Sequence, residues 1–190
     1  MNTHQIHELL ERLGNLMRSE ARQVNTHRGL QPVQLEALHY LSICNRYSDT
    51  LLAVAEYLGL TKGTTSQTLK VLEKNDYLER EKDRNDHRVY HLKVTPKGKT
   101  LIEGAVPAPT LRKAARLLSG KEQEETIQNL RKLLFTCQEA NGMKSFGACR
   151  TCRHNQKLAE GHFCKLTQEP LSHEDIQKIC REHQYPSSST

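Results

Sequence analysis

Residues 51–98 read LLAVAEYLGLTKGTTSQTLKVLEKNDYLEREKDRNDHRVYHLKVTPKG, and the changes of period along this stretch decide the fold. Leu51–Leu58 is a short apolar helix that Gly59 ends, because glycine adopts the left-handed C-terminal conformation at little cost. Leu60 bridges the turn, Thr61 can cap the next helix, and residues 62–75 form it, with Leu69, Val71 and Leu72 as buried candidates. After Asp76 the period shortens. Tyr77-Leu78-Glu79-Arg80 and Tyr90-His91-Leu92-Lys93-Val94 read as strands, the second cleanly alternating, joined by the charged loop 81–88. Two helices about a tight turn, then a hairpin with a basic tip, predict a winged helix-turn-helix.

The chemistry of the second helix suits nucleic acid. A recognition helix must be thin and polar enough to enter a major groove roughly 12 Å wide and offer donors and acceptors to base edges. Gly63, Thr64, Thr65 and Ser66 are small enough for close approach, while Lys62, Gln67 and Lys70 can reach bases or phosphates. The wing adds Arg84, His87 and Arg88. Arg84 is the best placed to enter a narrow minor groove, and Arg88 can instead pair with Asp83 or Asp86 to hold the wing. The chain carries a formal charge of +6. Ten basic and six acidic residues fall within 61–100, so +4 of that charge lies on the recognition helix and wing, as a nucleic-acid footprint requires.

Outward from this block the chain is helical. Ile6, Leu9, Leu10, Leu13, Leu16, Met17, Ala21 and Val24 lie on one face of a long N-terminal helix ending near Gly29, with Asn2 and Gln5 as a capping pair. Pro32 opens a helix running to about Arg46. Thr95-Pro96 starts another, Pro107-Ala-Pro109 interrupts it, and Ser119 with Glu122 has capping-box spacing for a last helix ending near Gly142. With 36% hydrophobic residues the chain is poor in core material, which suggests a core completed by a partner chain.

Residues 51–99 resemble the MarR family of bacterial transcription regulators, through Leu58-Gly-Leu-Thr61, residues 66–72, the Asp83-to-Arg88 wing and Thr95-Pro-Lys-Gly98. Leu117-Leu-Ser and Glu122 are similar to that family's last helix, and the resemblance extends over about residues 4–138. It implies a homodimer whose terminal helices interlock, two recognition helices over a roughly palindromic operator in double-stranded DNA, and repression as the mode of action. The paired prolines at 107 and 109 depart from the family's single long helix and bend the dimer arms.

The remainder is a cysteine module. Cys149-Arg-Thr-Cys152, Cys164 and Cys180 place four thiols within 32 residues, in a segment too poor in apolar side chains to fold alone. Such small units need a staple, and in a reducing compartment four thiols point to metal. One Cys-x-x-Cys followed by two isolated cysteines favours an iron-sulfur cluster over Zn2+, whose ribbons usually pair two knuckles; without metal, a Cys149–Cys152 disulfide switch is the alternative. His154, His162, His173 and His183 are read as bystanders or supporters of the thiols, and Cys44 and Cys137 as inert buried thiols. Loss of the metal is expected to unfold the module and shift the last helix, moving the recognition helices; a permanent staple is the rival role.

The expected architecture is mainly α (α+β): an N-terminal dimerisation helix at 1–30, the winged helix at 31–104, C-terminal dimerisation helices at 105–142, the metal module at 143–184 and a disordered tail at 185–190. No stretch is long and apolar enough to span a membrane and the start lacks a signal peptide, so a cytoplasmic location is expected. The chain shows no carboxylate pair, nucleophile-base arrangement, phosphate-cradling glycine loop or His-Glu-x-x-His, which argues against an enzyme; a nucleic-acid enzyme or a protein-interaction adaptor are the alternatives.

Overall fold

The computed structural model describes residues 2–26, 29–84 and 86–186. Its helices are α1 (Thr3–Thr26), α2 (Pro32–Ile43), α3 (Leu51–Leu58), α4 (Lys62–Lys74), α5 (Pro96–Ala105), α6 (Pro109–Leu117) and α7 (Gly120–Ala140). The winged helix assembles as its local chemistry dictates. Thr50 and Thr61 cap α3 and α4 by accepting the amides of Ala53 and Thr64, and Gly59 closes α3 at φ 65°. Strands β1 (Leu78–Lys82) and β2 (Tyr90–Val94) pair antiparallel, Leu78 opposite Val94. The core is Leu35, Leu38, Tyr40 and Leu41 of α2 against Val54, Leu69, Leu72, Leu78, Leu92, Leu101 and Ile102.

Several boundaries differ from the sequence reading. Val71 is 37% exposed, because α4 turns Leu69 and Leu72 inward and leaves its neighbour on the rim. Helix α2 stops at Ile43, three residues short of Arg46. Cys44 turns extended there, at φ −82° and ψ 159°, because the chain is captured by a distant strand residue: the Ile179 amide donates to the Ile43 carbonyl and the Asn45 amide to the Ile179 carbonyl, at 2.9 and 2.8 Å. The break at Pro107 to Pro109 separates α5 from α6, and the Ser119–Glu122 capping box opens α7.

Helices α6 and α7 bury no residue, and α1 exposes Leu9, Leu13 and Leu16 at 50% or more. Glu20 of α1 joins this layer to α6 by accepting the Thr110 amide at the start of that helix. Cys137 is exposed on α7, not buried as its apolar face suggests, whereas Cys44 is buried and its thiol pushed up to about 12 by desolvation. No helix among the described residues is long and apolar enough to cross a membrane.

Residues 143–186 fold as a three-stranded antiparallel sheet, β3 (Asn155–Lys157), β4 (His162–Cys164) and β5 (Glu169–Leu171), between two short 3-10 turns, Cys149–Thr151 and Asp175–Gln177. The unit does not dangle from α7. Phe146 enters the main core edge-on to Tyr40 and Tyr57, with centroids 6.0 and 5.3 Å apart, and the module lies against the turn between α2 and α3. Tyr185, expected in a disordered tail, packs edge-on against Phe135 of α7 at 4.4 Å; residues 187–190 of that tail lie outside the described residues. The core assignment predicts that Leu72→Ala lowers unfolding free energy by about 2–5 kcal/mol, whereas Val71→Ala costs under about 1 kcal/mol; urea denaturation of both variants reads the difference.

Candidate nucleic-acid interface and cysteine pocket

Helix α4 divides its small polar residues between core and solvent. Thr61 holds its first turn: its hydroxyl accepts the Thr64 amide at 3.2 Å and meets the Thr64 hydroxyl at 2.9 Å. Lys62, Gly63, Thr64, Gln67 and Lys70 are exposed and Ser66 is half-buried. Thr65 is corrected: it is fully buried, and its hydroxyl donates to the Thr61 carbonyl at 2.9 Å, so it faces the core and cannot reach a base. Glu73 is held by Arg80 of β1. The remaining exposed face is therefore small, polar and basic.

On the wing Arg84, His87 and Arg88 are exposed. Arg88 forks onto Asp86, donating Nε and Nη2 at 3.0 and 3.1 Å, and the carboxylate also accepts the Arg88 amide. Of the two partners the sequence offers for it, Asp86 is the one used. Asp83 accepts the Asp86 amide at 2.7 Å and closes the tip.

The base of the wing is held by residues of the polar segment between α2 and α3, to which the sequence pattern assigns no element. Asp49, 4% exposed, sits beneath β2, where its Oδ1 lies 2.5 Å from His91 Nδ1, its Oδ2 accepts Lys93 Nζ at 2.7 Å and its carbonyl accepts the Leu92 amide. His91 Nε2 reaches Asp83 at 3.0 Å. The Asp49 hydrogen bond, with further help from Asp83, raises the His91 pKa above its ordinary value. The only signal in the sequence was the run of polar residues between two apolar helices, which looks the same whether exposed or buried.

The four module cysteines wall one narrow pocket of about 30 Å3, together with Asn45, Tyr47, His154 and Thr167. Cys149 comes from a 3-10 turn, Cys152 from its end, Cys164 from the end of β4 and Cys180 from the strand-like segment that captures residues 43–45. Polar hydrogens are aimed at the sulfurs: Asn45 Nδ2 lies 3.4 Å from Cys149 Sγ and the Gln184 amide 3.5 Å from Cys152 Sγ. Cys180 is the more acidic thiol, held at about 6 by the Cys149 S–H and then by Asn45, the Glu182 amide and Ser48, while Cys149 is pushed up by the same bond. His154 Nε2 is buried without a partner and lines this pocket, as does Thr167, whose hydroxyl lies by Tyr47. Among the described residues, however, no three His, Cys, Asp or Glu side chains stand where they could hold a metal ion, so loading one requires the thiols to turn or to span a larger group.

The other histidines do not enter the pocket. His183 is 4% exposed, with Nδ1 at 2.6 Å from the Ser145 hydroxyl and Nε2 at 3.0 Å from that of Thr151. Its ring lies against Gly147, where an added Cβ would fall 2.6 Å from Cε1. His162 bonds Asn155.

Capped helix pair, exposed basic helix face and braced hairpin together define a winged helix-turn-helix DNA-binding fold. Residues 28–89 match the model of the MarR family. The chain is similar to Staphylococcus aureus MepR in its DNA-binding conformation, at 25% identity over 70% of this chain and 98% of that one, TM-score 0.61. A MepR-DNA complex from the same organism matches at 25% identity over 68% and 96%, TM-score 0.56. Wild-type MarR of Escherichia coli, in its apo form, shares the fold at 18% identity, 67% and 96% coverage and TM-score 0.53. No curated protein matches the chain.

The His91 bridge has a definite pH dependence. Because its folded-state pKa is raised, its stabilisation is complete below the ordinary value of 6.5 and is lost as pH rises through the raised value. We expect the His91 ring to titrate above 6.5 by NMR, and Asp49→Asn to move it back down; a wild-type ring titrating below 6.5 contradicts the bridge.

Proposed function

We propose that this protein is a cytoplasmic, homodimeric transcription repressor that binds a roughly palindromic operator in double-stranded DNA and carries a metal centre on Cys149, Cys152, Cys164 and Cys180. The DNA-binding part is carried by one observation: α4 presents Lys62, Gly63, Thr64, Gln67 and Lys70 outward beside an exposed Arg84, a polar basic face of the width a major groove admits. Ser66 stands at the edge of that face, His87 and Arg88 flank Arg84, and Arg88, tied to Asp86, shapes the wing before it touches a phosphate. The similarity to MepR, including MepR bound to DNA, supports this reading.

Dimerisation is supported by the unpartnered apolar faces of α1, α6 and α7, which a second copy would cover. Leu9, Leu13, Leu16, Leu117, Leu130 and Leu134 are each about half exposed or more, and large apolar side chains gathered on helix faces mark interaction sites. As in other dimeric regulators with this motif, the interface sets the distance between two recognition helices.

The metal centre is supported by the donor set and the orphaned atoms around it. Four thiols, amide hydrogens aimed at two of them, and a buried unpartnered His154 Nε2 in the same pocket support an occupant there. One Cys-x-x-Cys followed by two isolated cysteines favours an iron-sulfur cluster over Zn2+, whose ribbons usually pair two knuckles. Bound there, a cluster would supply redox or oxygen sensitivity.

Two measurements test these readings. Lys70→Ala with Arg84→Ala should weaken operator binding about tenfold and lower the salt slope by about 2; an unchanged slope removes the groove-and-wing assignment. Protein purified without oxygen should contain iron and sulfide and absorb broadly in the visible, whereas a colourless protein with zinc replaces the cluster by Zn2+.

A further inference from the structure

Three polar residues of the turn 45–49 are buried, Asn45 at 2% exposed, Ser48 at 0% and Asp49 at 4%, while Arg46 between them is exposed. One side of the turn faces the cysteine pocket and the other the wing. Asn45 donates Nδ2 to Cys149 Sγ, and its Oδ1 accepts the Ser48 hydroxyl at 2.7 Å and the Tyr47 amide at 3.2 Å. The Ser48 oxygen in turn accepts the Arg181 amide, next to Cys180, at 2.8 Å. One residue further on, Asp49 grips His91 and Lys93 of β2, and His91 reaches Asp83 at the wing loop. Arg181 also forks onto Glu56 of α3 with two bonds of 2.7 Å, so the module holds the helix preceding α4 as well.

We propose that the turn 45–49 carries the state of the cysteine pocket to the wing, with Asn45 as the positioning residue that senses whether the pocket is filled. The proposal rests on the metal centre proposed above. A metal-bound sulfur is anionic and accepts the Asn45 amide strongly; a bare thiol is a weak acceptor. Filling the pocket therefore fixes Asn45, and Asn45 fixes Ser48 and Asp49, because a buried Asn side chain that loses one partner leaves its others strained or unpaired. Asp49 then sets the height of β2 and the position of the wing arginine relative to α4. The filled state is the DNA-competent one. The route runs through α2 and α3, not through the last helix as the chain order suggests.

The test uses the full chain, reconstituted anaerobically with iron and sulfide or stripped with a chelator under reductant, and a duplex selected from random DNA by the loaded protein. Loaded wild type should bind 5- to 100-fold more tightly than stripped, the range of about 5–150-fold common for coupled sites. His91→Ala should keep the metal content, and in both Asn45→Ala and His91→Ala the loaded-to-stripped ratio, taken on protein matched for metal bound, should fall below about 2-fold. His91→Ala lies outside the pocket and decides the matter if Asn45→Ala does not fold. Either folded variant retaining the full ratio overturns the relay, as does equal binding by loaded and stripped wild type. A wild type that takes up no metal, iron or zinc, overturns the metal centre itself, and metal analysis tells that failure apart from a loss of coupling.

Discussion

The winged helix and the cysteine module meet at a polar turn, 45–49, whose Asn45, Ser48 and Asp49 side chains are buried. Residues 45–49 must satisfy every buried donor and acceptor within the protein, since each left unpaired costs roughly 1–3 kcal/mol. They do so by recruiting three separate parts of the chain. The segment 178–181 supplies Ile179 and Arg181 to Asn45 and Ser48, α2 supplies the Tyr40 hydroxyl to the Ser48 carbonyl at 2.9 Å, and β2 supplies Leu92, His91 and Lys93 to Asp49. The winged helix is thereby complete only with a residue pair from the far C-terminal end. Core apolar packing would tolerate small shifts; this network of directed bonds does not.

The consequence for the cysteine module is that it is part of the winged helix's support. Phe146 fills the space beside Tyr40 and Tyr57, Arg46 and Tyr47 of the turn both bond Glu169 of β5, and Gly147 lets the His183 ring lie flat on the backbone. A small module with Leu171 and Ile176 as its buried aliphatics has little core of its own and depends on these contacts for its order. The wing base and the cysteine pocket thus share a wall.

Local rules made the winged helix legible. Gly59, Thr61, Thr95-Pro96 and the Ser119–Glu122 pair each act on the backbone within a few residues, and all stand where sequence places them. The exposed and buried threonines of α4 were less readable, because Thr64 and Thr65 differ only in which way the helix is turned, and Thr65 satisfies its hydroxyl on its own helix. The four cysteines could be grouped by spacing, but not their neighbours. Asn45 lies 104 residues from Cys149 and Arg181 lies 125 from Glu56, separations at which no periodicity or cap carries information. The same blindness misassigned the end of α2, which is set by Ile179, and placed the expected effect of metal loss on the last helix.

Module, turn and wing base move as one unit in this account, and amide hydrogen exchange on the full chain reads that coupling directly. The amides of Asn45, Leu92, Ile179 and Arg181 each donate across one of these boundaries. They should exchange at a common slow rate, through a single cooperative opening, and speed up together when metal is withdrawn. Fast exchange at Ile179 and Arg181 while Leu92 stays protected would mean that the module detaches without disturbing the wing, and would contradict the account.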